Sequence, residues 1–81
     1  MSTVTDDQAR KNIAANVRRL RGQRSRYWLA KAVDGGTIQI TRIERAENMP
    51  GAGLLSRLAE ALEVTVDTLL SDPKKNSRRS A

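Results

Sequence analysis

The sequence predicts an all-α fold, a compact bundle of five short helices, and three observations predict it. Apolar residues recur every three or four positions and almost nowhere alternate, which is the period of a helix with one buried face. The composition is rich in Ala, Leu and Arg; Phe is absent and the only aromatics are Tyr27 and Trp28. The 81 residues contain no cysteine and no histidine, so neither disulfides nor the usual zinc or haem ligands supplement the core. At this size a single core is only just sufficient. Stability then comes from helix packing or from a partner subunit.

The chain divides into a flexible N-terminus (residues 1–5), a folding unit (6–70) and a basic tail or linker start (71–81). Thr5 or Asp6 caps the first helix and Asp7 puts negative charge in its first turn. Ala9, Ile13, Val17 and Leu20 form its buried stripe up to Gly22, leaving Arg18 and Arg19 exposed. Ser25 caps a second helix running through Val33, with Leu29, Ala30 and Val33 facing inward. Asp34, Gly35 and Gly36 break it, because consecutive glycines are costly in a helix and cheap in a turn.

A third helix starts between Gly36 and Ile38 and ends at Arg45 or Ala46, with Ile40 and Ile43 inward. The stretch from Glu47 through Asn48, Met49 and Pro50 to Gly51 is a loop, since proline disfavours helix in the preceding residue. Leu54, Leu55, Leu58, Ala59 and Leu62 carry the strongest apolar helical pattern. Thr65 caps a last short helix over Val66–Leu70, with Asp67 in its first turn.

The formal net charge is +6, and its distribution is more informative than its size. Eight basic residues, Arg10, Lys11, Arg18, Arg19, Arg21, Arg24, Arg26 and Lys31, lie between Gln8 and Val33 with no acid among them. The acids gather later, at Glu44, Glu47, Glu60, Glu63 and Asp67. A one-signed half is the electrostatic footprint of a polyanion binder. No run approaches a membrane span and no signal-peptide pattern follows the N-terminus, so a cytoplasmic, nucleoid-associated protein is expected. Without His or Cys, with scattered acids and no Gly-rich phosphate loop, there is no catalytic constellation, and no cofactor, metal or small-molecule substrate is expected.

Residues 29–45 are where these threads meet. A short helix, a glycine-containing turn and a second short helix leave Thr37, Gln39, Thr41, Arg42 and Arg45 on an outer face. Such a face carries the donors and acceptors that read base edges in a DNA major groove. This is a helix-turn-helix reading, with double-stranded DNA as the partner.

Laid out in order, Val17-Arg18-Arg19-Leu20-Arg21, then Ser25, Leu29 and Ala30, then Ile40, Ile43 and Glu44, then Pro50, then the leucine-rich pattern from Leu55 to Leu70, resemble the lambda-repressor-like (Xre-type) helix-turn-helix family of phage and bacterial transcriptional regulators. The resemblance runs ungapped from Leu29 to Leu70. It implies a second helix that braces a recognition helix, whose N-terminal residues reach base edges. Thr37, Ile38 and Gln39 stand at the base-contacting positions, with Arg42 one turn on. Gln39 would pair with adenine, Arg42 with guanine or a phosphate, and Ile38 would pack on a thymine methyl. Thr37 either reads a base or caps its helix.

The resemblance also implies a backbone-phosphate role for Arg26, with Arg24, Arg45 and Asn48 as further phosphate candidates. Arg21 and Glu44 match a largely buried ion pair joining the first and third helices. Three departures stand out: a shorter loop between the first two helices, Gly35 where a small apolar residue is usual, and Ala46 where a glycine usually follows the third helix. The implied activity is sequence-specific repression of transcription by a homodimer on a two-fold operator.

Tyr27 and Trp28 fall outside the inward positions and are expected to lean outward. Trp28 then folds across the core rim, contacts a protein, or packs beside the phosphate backbone. Leu69 and Leu70, at a half-exposed helix end, are the expected dimer surface. The basic run at 74–79 is a mobile arm adding non-specific affinity or an inert solubilising end. The rival reading is a protein-interaction module, such as an antitoxin or anti-repressor, gripping a partner through Tyr27 and Trp28 with DNA binding secondary.

Overall fold

A computed structural model describes residues 5–74; residues 1–4 of the expected flexible N-terminus and 75–81 of the expected tail lie outside the described residues. The described chain is all-helical: α1 (Asp6–Arg21), α2 (Arg26–Ala32), α3 (Thr37–Glu44), α4 (Ala52–Ala61) and α5 (Val66–Leu70). The long α1 packs against α3 on one side and α5 on the other, while α2 lies against α3 and α4, and α4 meets α5. The core is the shared apolar face, with Ile13, Val17, Leu29, Val33, Ile40, Ile43, Leu58 and Leu69 essentially inaccessible to solvent. None of the described helices is long and apolar enough to cross a membrane.

Helix starts follow the sequence. The hydroxyls of Thr5, Ser25 and Thr65 accept from the backbone N–H of Gln8 (3.1 Å), Trp28 (2.9 Å) and Thr68 (3.1 Å), which supplies partners to otherwise orphaned donors. Helices α3 and α4 begin instead at Gly36 and Gly51, without a side-chain cap. Gly36 thus occupies the cap position and Thr37 is the first helical residue, which removes the capping alternative for Thr37.

Three of the helix ends close without glycine. α2, α3 and α4 each close through a residue with positive φ, and none is a glycine: Asp34 (57°), Ala46 (61°) and Glu63 (61°). In each case the next N–H reaches back five residues, Gly35 to Ala30 (2.8 Å), Glu47 to Arg42 (2.9 Å) and Val64 to Ala59 (2.9 Å). This is the Schellman closure, which satisfies the last carbonyls. The break after α2 is therefore made by Asp34, whose short polar side chain tolerates the left-handed region. Neither Gly35 nor Gly36 uses positive φ.

The α1 stripe holds a second surprise. Asn12 and Asn16 are buried within it, Asn16 completely. The Asn16 amide donates to the carbonyls of Thr68 (3.0 Å), Leu69 (2.8 Å) and Ser71 (2.9 Å), and Asn12 to that of Leu70 (2.9 Å). A five-residue helix has no independent stability; here α1 donates to its orphaned C-terminal carbonyls and docks it. Ser71, expected in the tail, is held in the same way. Docking also removes Leu69 from the expected dimer surface. Leu69 is fully buried in the core of its own chain and Leu70 is half-buried against that core, so Leu69 offers nothing to a partner.

Ala46 lies where its Cβ strains the backbone, at a cost of about 1 kcal/mol. Ala46→Gly is accordingly expected to stabilise the protein by about 1 kcal/mol and raise Tm by roughly 4–8 °C for a domain of this size. Thermal unfolding followed by circular dichroism checks this; an unchanged or lower Tm contradicts the strain.

Candidate nucleic-acid interface

The turn between α2 and α3 is short, and Ile40, Ile43 and Glu44 are drawn inward. The opposite face of α3 is left to solvent. Thr37, Ile38, Gln39, Arg42 and Arg45 are all exposed, and Ile38 is 70% accessible despite being apolar. Thr41 is half-buried and donates its hydroxyl to the Thr37 carbonyl at 3.0 Å. It belongs less to the outer face than its spacing suggests, because back-bonding turns it along the helix. The absence of a side chain at Gly35 has a local use. A Cβ there would stand 2.9 Å from Oε1 of Gln39, so glycine leaves room for the Gln39 amide beside the turn.

Behind this face lies a buried charge. The Glu44 side chain has no solvent exposure, and Arg21, 17% exposed, grips it with both ends of its fork: Nε to Oε2 at 2.7 Å and Nη2 to Oε1 at 2.9 Å. This joins α1 to α3. A second arginine, unanticipated in this role, joins the same carboxylate: Arg26 Nε donates to Oε1 at 2.9 Å, bringing α2 into the cluster. Arg18 donates to the backbone carbonyl of Glu44. Burial alone would push the Glu44 carboxyl upward. Hydrogen bonds from Arg21 and then Arg26, with their charges, outweigh it and hold the group below its ordinary value. The same bond to Glu44 raises Arg21, against the opposing effect of its burial.

Most of the remaining basic residues also have local partners. Arg24 lies over the Trp28 ring, 3.9 Å from its centroid, and donates through Nη2 to the Leu20 carbonyl at 3.0 Å, closing the C-terminal end of α1. Trp28 is half-buried against the core, so of its expected placements it takes the core rim, beneath Arg24. Tyr27 leans outward, with 63% exposure. Arg10 and Lys11 pair with Asp7, and Arg45 lies 4.0 Å from Glu47. Arg42 has no partner among the described residues, and Asn48 is exposed in the loop after α3.

The structure thus brings Thr37, Ile38, Gln39 and Arg42 onto one open helical face and sets Arg21, Arg24 and Arg26 together at the α1–α2 junction. Two features escaped the sequence: the contribution of Arg26 to the ion cluster, and the polar part of the α1 stripe. The second had a signal, since Asn12 and Asn16 are spaced i, i+4 along the apolar row itself.

No protein-family model matches the chain, and no curated protein matches it. Its fold is similar to that in the crystal structure of a hypothetical transcription factor, NHTF, from Neisseria. The TM-score is 0.79 at 23% identity, covering 96% of this chain and 93% of that one. At this identity the likeness is one of fold.

Removing one partner of a buried pair strands the other. Arg21→Met is expected to cost roughly 3–5 kcal/mol, while Arg21→Met combined with Glu44→Leu recovers a large part of that loss. Chemical denaturation of the three proteins measures this; a double variant at least as unstable as the single one contradicts the arrangement. Glu44 also sets an acid limit. Its folded pKa lies below the unfolded value of 4.5, so its contribution is fully present above that pH and is lost as pH falls through the depressed value. Glu44→Gln is expected to flatten the fall in stability below pH 4.5. An unchanged acid profile would show that other carboxylates dominate.

Proposed function

We propose that this chain is a sequence-specific duplex-DNA-binding transcriptional regulator of the lambda-repressor-like (Xre-type) kind, with α3 as its recognition helix and residues 6–70 as its DNA-binding unit. The observation that carries this reading is the outer face of α3. Thr37, Ile38, Gln39 and Arg42 lie open together on a helix whose inner face is locked to the core by Ile40, Ile43 and Glu44. A rigid helix with exposed hydrogen-bonding groups and an exposed apolar residue suits major-groove readout, including the thymine methyl. The basic residues around the α1–α2 junction supply the sequence-independent, salt-dependent part of affinity. The hypothetical transcription factor that shares the fold supports the same direction.

In this reading Gln39 pairs with adenine and Arg42 with guanine or a phosphate, and Ile38 covers a thymine methyl. Arg24, Arg26, Arg45 and Asn48 hold the backbone. The protein acts as a homodimer on a two-fold operator, repressing by occupying a promoter, and has no enzymatic role. The rival reading, a protein-interaction module, is weakened where it relied on Trp28, which is covered by Arg24 and the core. Tyr27 remains its one exposed aromatic anchor.

Selection of bound sequences from a random duplex pool, at near-physiological salt, tests the proposal. An inverted repeat is the expected product; a folded protein that enriches nothing overturns the reading. On the recovered site, Arg42→Ala should relax preference at one base position, worth roughly 1–3 kcal/mol. Arg45→Ala should weaken all sequences alike and reduce the salt slope by about one. Uniform loss in both variants would assign Arg42 to the phosphate backbone and remove it from base readout.

A further inference from the structure

Arg26 is the one arginine that touches the buried carboxylate and also stays accessible. Its side chain is 41% exposed, against 17% for Arg21 and none for Glu44. It uses Nε on Glu44, and its two terminal amino groups have no partner among the described residues. A guanidinium is a planar fork, so anchoring one edge fixes the direction of the other. Exposed arginines ordinarily sample many rotamers and lose that freedom on binding. Arg26 is already ordered, because its anchor is a carboxylate that cannot itself move: Arg21 holds it by two bonds, and Arg18 holds its backbone carbonyl.

The charge balance favours an anion on the free edge. Arg18, Arg21, Arg24 and Arg26 are linked through one hydrogen-bonded cluster with Glu44 as its only acid: Arg21 Nη1 donates to the Arg24 carbonyl at 2.6 Å, and Arg24 Nε returns to the Arg21 carbonyl at 3.3 Å. Hydrogen bonds to carbonyls leave the charge of Arg18 and Arg24 uncompensated. The cluster therefore carries a positive excess, and Arg26 presents two parallel N–H donors on its accessible side. That is the geometry of a bidentate phosphate contact.

We propose that Glu44 is a positioning residue for duplex binding: through Nε of Arg26 it aims that guanidinium at a phosphate of the DNA backbone, so one buried carboxylate both ties α1 to α3 and sets how α2 sits on the duplex. This inference rests on the DNA-binding reading above. Under it, removing Glu44 weakens phosphate binding even in a protein that remains folded, and lysine cannot replace Arg26. A lysine ammonium is a point charge and cannot serve a carboxylate and a phosphate along two separate edges.

The test uses fluorescence anisotropy with a short duplex of random sequence at low salt, since a phosphate contact is independent of sequence. Arg26→Ala is expected to weaken binding by about tenfold, the scale of a charge-assisted hydrogen bond. Arg26→Lys should lose nearly as much. In a Glu44→Gln background, confirmed helical by circular dichroism at the assay temperature, Arg26→Ala should cost about twofold or less, if coupling accounts for most of that charge-assisted contact. Arg45→Ala should cost the same factor with or without Glu44. Full binding by Arg26→Lys, or an equal loss from Arg26→Ala in both backgrounds, overturns the positioning role while leaving DNA binding intact. If Glu44→Gln does not fold, the Arg26→Lys comparison decides alone. A wild-type protein that fails to bind duplex at low salt overturns the reading on which the inference rests.

Discussion

The carboxylate of Glu44 is the constraint on which the arrangement depends. An ionised side chain with no solvent exposure is tolerable only if its hydrogen-bonding capacity is filled by opposite charge. Arg21 from α1 and Arg26 from the start of α2 fill it. Three helices are thereby tied at a point that dispersion and apolar burial alone would leave adjustable. Because Glu44 is the last residue of α3, fixing it fixes the rotation of α3 about its axis. Rotation decides that Ile40 and Ile43 point inward and that Thr37, Ile38, Gln39 and Arg42 point outward. A small core does not define such an angle well by itself; a directional, bidentate contact does.

Polar bonds between α1 and α5 do a comparable job. Asn12 and Asn16 satisfy the carbonyls that end α5, and Leu69 is fully buried in the core. The fold is thus closed by directional contacts midway along α1 and at its C-terminal end. The basic half of the sequence is accordingly not a uniform adhesive surface. Arg21 is a structural ion-pair partner, Arg18 and Arg24 close helix ends, and Arg10 and Lys11 share the one carboxylate of Asp7. Closing a helix end leaves the charge in place, so the long-range field survives even where the side chain is engaged.

What could be read from the sequence is what local periodicity and capping chemistry encode. Thr5, Ser25 and Thr65 announce their helices because short hydroxyl side chains satisfy N-terminal donors. The inward set Leu29, Ala30, Val33, Ile40 and Ile43 follows from spacing alone. What could not be read depends on distant partners. The spacing of Asn12 and Asn16 along the apolar row signals burial, but it does not say what Asn16 clamps, because its acceptors lie more than fifty positions away. Leu69 looked like an edge residue because a five-residue helix has too few positions to reveal its inner face. Trp28 looked exposed because the helical stripe places it off the core axis, yet a large ring reaches the rim and Arg24 covers it. The conformation of the helix ends was not legible either: glycine marks the easiest left-handed position, but Asp34, Ala46 and Glu63 adopt it where closure of the helix outweighs the local strain.

The most direct test of the central claim, that α3 presents the DNA-reading face, is amide chemical-shift mapping of the protein titrated with a duplex recovered by selection. The largest changes are expected on Thr37, Ile38, Gln39 and Arg42, with a second group at Arg24 and Arg26, and little change around Glu60 and Val64 at the α4–α5 junction. Changes centred on that junction, with α3 undisturbed, would contradict the claim.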